Sequence, residues 1–456
     1  MSACSNVTHR RTLHGRRDLL APAAAFPQRY PCLLESVLHG TPQARFDILF
    51  AFPRDSLVLD AEGGVRNATG DIVGTRFLDA LDAAWQAERL PREDDGLPFH
   101  GGWTLLLAYE LAGEIEARLR LRADAALPVA LALRCPAAVI VDHARDCTVL
   151  VAEAGSEHLL DDLAADLEAA RPIPALPPPA RLAEDEPQRF LDGVARIHEH
   201  LQAGDIFQVN LSRAWLAHYA QPPAPAALHA ALRRANPAPF AGLLQQPGWA
   251  IASSSPERLV EVRAGTAQTR PIAGTRPRTA GDDDVARIRE LAAHPKERAE
   301  HVMLIDLGRN DLGRISETGS VEVSDSFVVE RYSHVMHIVS QVQGTVREGL
   351  SYMDVLKATF PAGTLSGAPK VRALEIIQEL EPHKRNIYGG AIGWIGWWGD
   401  ADTAIAIRTA VIHGGRLHVQ AGAGIVFDSD PAAEWEETMN KGRALFRAVA
   451  QAAKGL

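Results

Sequence analysis

From residue 30 to 152, apolar residues come in short runs broken by Gly, Pro and Asp, a pattern of strands closed by turns. Residues 46–50, 56–59, 129–133, 138–141 and 148–152 are the expected strands, and apolar spacing places helices over 76–88 and 156–170. Residues 171–180 carry five prolines, which lack donors and fix φ, so the chain there forms neither helix nor central strand. Beyond it Phe190, Val194, Ile197 and Leu201 recur at helical spacing until Gly204. Residues 206–212 then alternate, putting Gln208, Asn210 and Ser212 on one face of an apolar strand. Such residues either meet water or line a site. Residues 249–258 read as a strand ending in a polar turn that holds Glu257, and 388–393, 404–409 and 420–426 as further strands rich in glycine. The expected architecture is α+β and two-lobed. A sheet-rich N-terminal lobe (29–170) and a Pro-rich linker (171–186) precede a second lobe (187–456).

Composition narrows the class. A chain of 456 residues, 46% hydrophobic, can bury a large core. A formal charge of −10 argues against a general nucleic-acid binder, because phosphate backbones attract basic surfaces. Cys4, Cys32, Cys135 and Cys147 lie far apart, so neither a zinc site nor a disulfide framework is indicated, and a cytoplasmic location is expected. No apolar run reaches the roughly 20 residues of a membrane helix. Arg16-Arg17 precedes an apolar stretch that is short and proline-broken, so residues 1–28 are expected to be a disordered leader.

Candidate chemistry gathers in the second lobe. The segment Thr269-Arg-Pro-Ile-Ala-Gly-Thr-Arg-Pro-Arg278 suits an oxyanion-handling turn, with Gly274 for close backbone approach and Arg270, Arg276 and Arg278 as cationic forks. Taken alone it is equally a bare basic turn. A helix beginning at Pro295 carries Glu297 and Glu300 three apart, hence on one face, and Glu434 and Glu437 repeat that spacing with Lys441 one turn on. One such pair is more commonly a solvated helix face. Two pairs brought together by the fold are what a hard cation such as magnesium needs when it also holds a carboxylate. The stretch Phe360-Pro-Ala-Gly-Thr-Leu-Ser-Gly-Ala-Pro-Lys370 offers tight backbone and the Thr364 hydroxyl before a helix N-terminus, but lacks the ending of a Walker loop. Arg408, in an apolar stretch, needs an anionic partner, which a structural salt bridge would equally supply. His337 can orient or protonate a leaving group, or be structural. No serine or cysteine triad is evident.

These segments, with Gln420-Ala-Gly-Ala-Gly-Ile-Val426, closely resemble the chorismate-utilising enzymes, specifically the large subunits of anthranilate synthase and aminodeoxychorismate synthase. The resemblance covers the second lobe from about residue 187 and is looser before it. It implies a large β-sandwich with surrounding helices and the active site between its sheets. It also implies Mg2+ on Glu300 and Glu437 with Glu297 and Glu434 alongside. Chorismate contacts would fall on Gly274, Thr275, Tyr388, Arg408, Gly422, Ala423, Gly424 and Lys441, with Thr364 nearby. Glu257 and His337 take the acid/base positions. Relatives that add water carry a lysine where Gln208 stands, so ammonia is the expected nucleophile, supplied by a separate glutamine amidotransferase subunit. Ala273, in place of a lysine carried by many aminodeoxychorismate synthases, is like anthranilate synthases. Gln208-Val-Asn-Leu211, Arg45-Phe-Asp-Ile-Leu49 and the absence of a Pro-Ser-Pro-Tyr-Met stretch at 236–241 favour the other branch. The expected function is aminodeoxychorismate synthase component I, in 4-aminobenzoate and folate biosynthesis, with anthranilate synthase component I as the alternative. A catalytically silent chorismate-binding subunit is the third reading.

Overall fold

The computed structural model describes residues 8–37, 44–92, 95–121, 123–169, 171–277, 295–331 and 335–453. Among them the strands form two twelve-stranded antiparallel sheets, with ten α-helices around them. The expected α+β sandwich is the fold found. Its continuous apolar runs follow from burial on both faces. Along Phe46–Ala51 and Ala137–Asp142, Ile48, Phe50, Ala138 and Ile140 enter the layer between the sheets. Their neighbours Leu49, Ala51, Val139 and Val141 join an outer core with Leu20, Leu163 and Leu228 from helices. The second sheet alternates likewise: Leu106 faces the inter-sheet layer, and Leu105 and Leu107 face the other outer core. Phe50, Phe99 and Trp394 lock that layer with edge-on contacts at 4.9 and 5.9 Å between ring centres.

Strands from both sides of the Pro-rich stretch pair within each sheet. Cys32–Glu35 lies between Phe46–Ala51 and Phe240–Gln246, and Gly102–Leu107 between Ala130–Cys135 and Ala391–Gly396. The prolines divide the chain but not the sheets. Unpaired, these strands would expose a row of backbone donors and acceptors, and partners from the other half supply the hydrogen bonds. Nor is the leader disordered from residue 8 on. His9–His14 pairs with Cys147–Ala152, and Leu20–Ala25 buries Leu20 and Ala23 in the outer core. His9–His14 is almost wholly exposed and meets the outer core only through the half-buried Leu13, so main-chain pairing chiefly makes it a strand.

Three elements carry the site. Gln208–His218 lies one strand in from the edge of the first sheet, between Arg181–Glu184 and Arg416–Ile425. The chain crosses from the first sheet to the second between Trp249–Ser255 and Arg258–Arg263, and back between Ala401–Ile405 and Thr409–His413. Residues 404–409, expected as one strand, are thus broken at the crossing. No helix among the described residues is long and apolar enough to cross a membrane.

Candidate active site

Both crossings place a charged residue at the junction of the sheets. Glu257 stands at the first, 8% exposed, and its Oε1 accepts a hydrogen bond from the Thr364 hydroxyl at 3.1 Å. Burial pushes its carboxyl up to about 7, against the Thr364 hydrogen bond and the charges of Lys441 and Arg408. Arg408 stands at the second crossing in the left-handed region, φ +52°, with its carbonyl accepting from the Ser254 amide at 3.1 Å. Burial lowers its pKa, opposed by the nearby Tyr388, Glu437 and Glu257. A half-buried guanidinium has the chemistry to hold an anion.

The polar face of Gln208–His218 lines this place. Gln208, Asn210 and Ser212 are all buried. A Cβ on Gly422 would lie 2.7 Å from the Asn210 Oδ1, the Leu211 carbonyl and the Tyr388 hydroxyl, so only glycine fits; one on Gly424 would meet the Gln208 amide at 2.4 Å. Tyr388, in the turn before Ala391–Gly396, donates to Asn210 Oδ1 at 3.4 Å, and burial pushes its phenol up to about 12. Lys441 donates to the Gly422 carbonyl at 3.0 Å and pairs with Glu437 at 2.5 Å. The Ala423 methyl group is fully buried on the opposite face, because alternate residues of the strand point to opposite faces, so only its backbone is on the side of Gly422 and Gly424.

The helix Pro431–Ala453 carries the second carboxylate pair near its start. Glu434 is 7% exposed and accepts from the Ser429 hydroxyl at 2.6 Å. Glu297 and Glu300 lie half-buried in the first turns of Pro295–Gly313. That helix also supplies Leu304, Gly308 and Asp311 to a cavity of about 40 Å3 shared with Glu257 and Thr364, room for a water. Four carboxylates are a hard oxygen donor set suited to magnesium in chemistry. Among the described residues, no three His, Cys, Asp or Glu side chains converge as a metal site. His337 is 9% exposed on Val335–Thr345, opposite Thr275 of Ile272–Pro277. Of Gly274 and Thr275 only the backbone is described, and Arg278 with the segment to 294 lies outside the described residues. The residue pattern did not single out Glu381 and Arg385. They stand behind Asn210 and Tyr388, and their one signal was an i, i+4 acid–base pair just past a helix.

A sandwich with an anion receptor, a near-neutral carboxyl and glycine-lined backbone at the junction of its sheets defines an enzyme site for a small anionic substrate. The chain belongs to the chorismate binding enzyme family, whose model matches residues 37–447. It is 43% identical to anthranilate synthase component 1 of Pseudomonas aeruginosa over 454 residues, covering 92% of this chain and 90% of the relative. The component 1 protein of Thermus thermophilus is 40% identical over 460 residues, covering 96% and 97%. The crystal structure of anthranilate synthase component I from Streptococcus pneumoniae superposes with a TM-score of 0.80 at 34% identity, covering 90% of this chain and 93% of that one.

These relatives overturn the aminodeoxychorismate synthase expectation and its link to folate. Two of the three features behind it have a structural explanation. Arg45 and Pro239–Ala241 line a separate cavity of about 690 Å3, with Glu35, Phe240 and Trp394. Of the candidate residues that cavity contains Arg270 alone, and none of the expected acid/base or chorismate contacts, so its lining does not report where nitrogen is placed on a ring. The third feature, Gln208, is in the site, but an amide there excludes a water-activating base without choosing between two aminations.

Proposed function

We propose that this chain is the chorismate-aminating component of an anthranilate synthase, converting chorismate and ammonia to anthranilate and pyruvate. The observation that carries the reading is the 43% identity over nine-tenths of both chains to an anthranilate synthase component 1. Ala273, 5% exposed and paired with Ile338, supports it: the position where many aminodeoxychorismate synthases place a nucleophilic lysine holds a methyl group. Ammonia therefore attacks the ring directly.

Arg408 binds a carboxylate of the chorismate dianion, and the Gly422–Gly424 backbone, which packs close against Asn210, Tyr388 and Gln208, walls the site beside it. Glu257 protonates the departing ring hydroxyl, which leaves as water while the ammonia nitrogen bonds to the ring. A carboxyl at about 7 is poised for that transfer at neutral pH, with the Thr364 hydroxyl fixing its orientation. Loss of the enolpyruvyl group as pyruvate and of a ring proton then gives the aromatic product. Glu297, Glu300, Glu434 and Glu437 would hold Mg2+, which when bound supplies charge to polarise the ring carboxylate. Lys441 keeps Glu437 and the Gly422 carbonyl in register. A separate glutamine amidotransferase subunit supplies the ammonia.

Purified protein incubated with chorismate, magnesium and an ammonium salt tests the reading. Anthranilate fluorescence rising without any added lyase is expected. Product that becomes 4-aminobenzoate only after an aminodeoxychorismate lyase is added would overturn it.

A further inference from the structure

We infer that Arg385, held by Glu381, is the positioning residue that sets the Thr364 hydroxyl on the Glu257 carboxyl, by tying the turn that carries Thr364 to the strand that faces it. The inference rests on Glu257 being the acid–base group of the proposed reaction. Arg385 is 2% exposed, and two of its side-chain hydrogen bonds go to backbone beside the site. Its Nη1 donates to the Leu365 carbonyl at 2.6 Å, one residue from Thr364, and its Nη2 to the Asn210 carbonyl at 2.8 Å. Nε and Nη2 also form a fork on Glu381 at 2.8 and 2.6 Å, whose Oε1 accepts the Ser212 amide at 2.7 Å. The guanidinium lies 4.6 Å from the Tyr109 ring centre and 5.4 Å from that of Tyr388.

A buried cation is costly unless each donor is met, and here the donors are met by the two backbone segments that the site needs in register. Asn210 completes the tie, its amide donating to the Ser366 carbonyl at 2.9 Å and its side chain to the Thr364 carbonyl at 3.4 Å. Burial opposes the charge of Arg385, yet Glu381 and Tyr109 hold its pKa above the usual arginine value, so the clamp is cationic at every working pH. Only a planar fork spans all these acceptors; a lysine ammonium reaches a subset. Arg385 touches neither Glu257 nor Thr364 Oγ1 in any of these bonds, so its action passes through backbone.

The test compares Arg385→Lys, Thr364→Val and the double variant, with Glu381→Gln as a second way to loosen the clamp should Arg385→Lys not fold. Following chorismate consumption, kcat in Arg385→Lys is expected to fall about tenfold to a hundredfold with a smaller change in KM. The double variant should be no slower than Thr364→Val alone, because both changes release the same hydroxyl. Multiplying effects in the double variant would overturn the inference. An infrared titration, with the Glu257 carboxyl assigned by difference against Glu257→Gln, reads the same link on ligand-free protein. Since the Thr364 hydrogen bond favours the ionised form, the Glu257 midpoint should move upward in Thr364→Val, Arg385→Lys and Glu381→Gln alike. A midpoint that moves in Thr364→Val and stays in both clamp variants would refute the positioning role. Absence of anthranilate from the parent protein would sink the proposed reaction instead, leaving the infrared result to decide the clamp.

Discussion

Burial pushes the Glu257 carboxyl up to about 7, and its charge there is held at the expense of the fold. Its folded-state value lies above the usual 4.5, so between those values the folded protein keeps a proton that the unfolded chain has released. The contribution of this group to stability therefore falls as pH rises through that window and is level above it. Glu257→Gln should abolish turnover while raising stability at pH 8 by about 1–3 kcal/mol in denaturant unfolding. A variant that loses activity and stability together would contradict this account. Glu300→Ala and Glu437→Ala are expected to lose magnesium-dependent turnover with a native circular dichroism spectrum, and an active double variant would overturn the metal assignment. The Glu437 side chain is 49% exposed, so its truncation leaves no buried gap. At this scale the sequence was informative where a residue type is rare in its setting, as with Glu257, Arg408 and the Gly422–Gly424 run. Arg385 leaves little pattern in the sequence because two of its hydrogen bonds go to the backbone carbonyls of Leu365 and Asn210 and the others to its near neighbour Glu381.

Elements read well where burial on both faces made their runs continuous, as in Phe46–Ala51 and Ala137–Asp142. They read poorly where backbone pairing or a crossing decided the outcome. His9–His14 is a strand with no apolar stripe, and Ala406–Arg408 interrupts an apolar run because the chain changes sheets there. The inter-sheet layer depends on its aromatic contacts, so Trp394→Ala should cost about 3–5 kcal/mol in urea unfolding. A loss below about 1 kcal/mol would mean that the layer closes without it.

For the whole molecule, the Pro-rich stretch suggested two lobes, and composition alone could not reveal that a block of strands from each side joins at one seam in each sheet. Residues 32–35 pair with 241–244 and 102–107 with 391–396, so neither part completes a sheet alone. Residues 187–456 expressed by themselves should lack sharp near-ultraviolet dichroism and aggregate; a soluble, cooperatively unfolding fragment would contradict the shared-sheet account. The family was legible in the motifs. The branch within it was not, because Arg45 and residues 239–241 line a separate cavity and an amide at Gln208 is compatible with either amination.

The most direct measurement follows labelled ammonium nitrogen by NMR as the purified protein consumes chorismate in the presence of magnesium. The account predicts nitrogen on the ring carbon next to the one bearing the carboxylate, with pyruvate released in equal amount. Nitrogen on the carbon para to the carboxylate, with the enolpyruvyl group still attached, would contradict it.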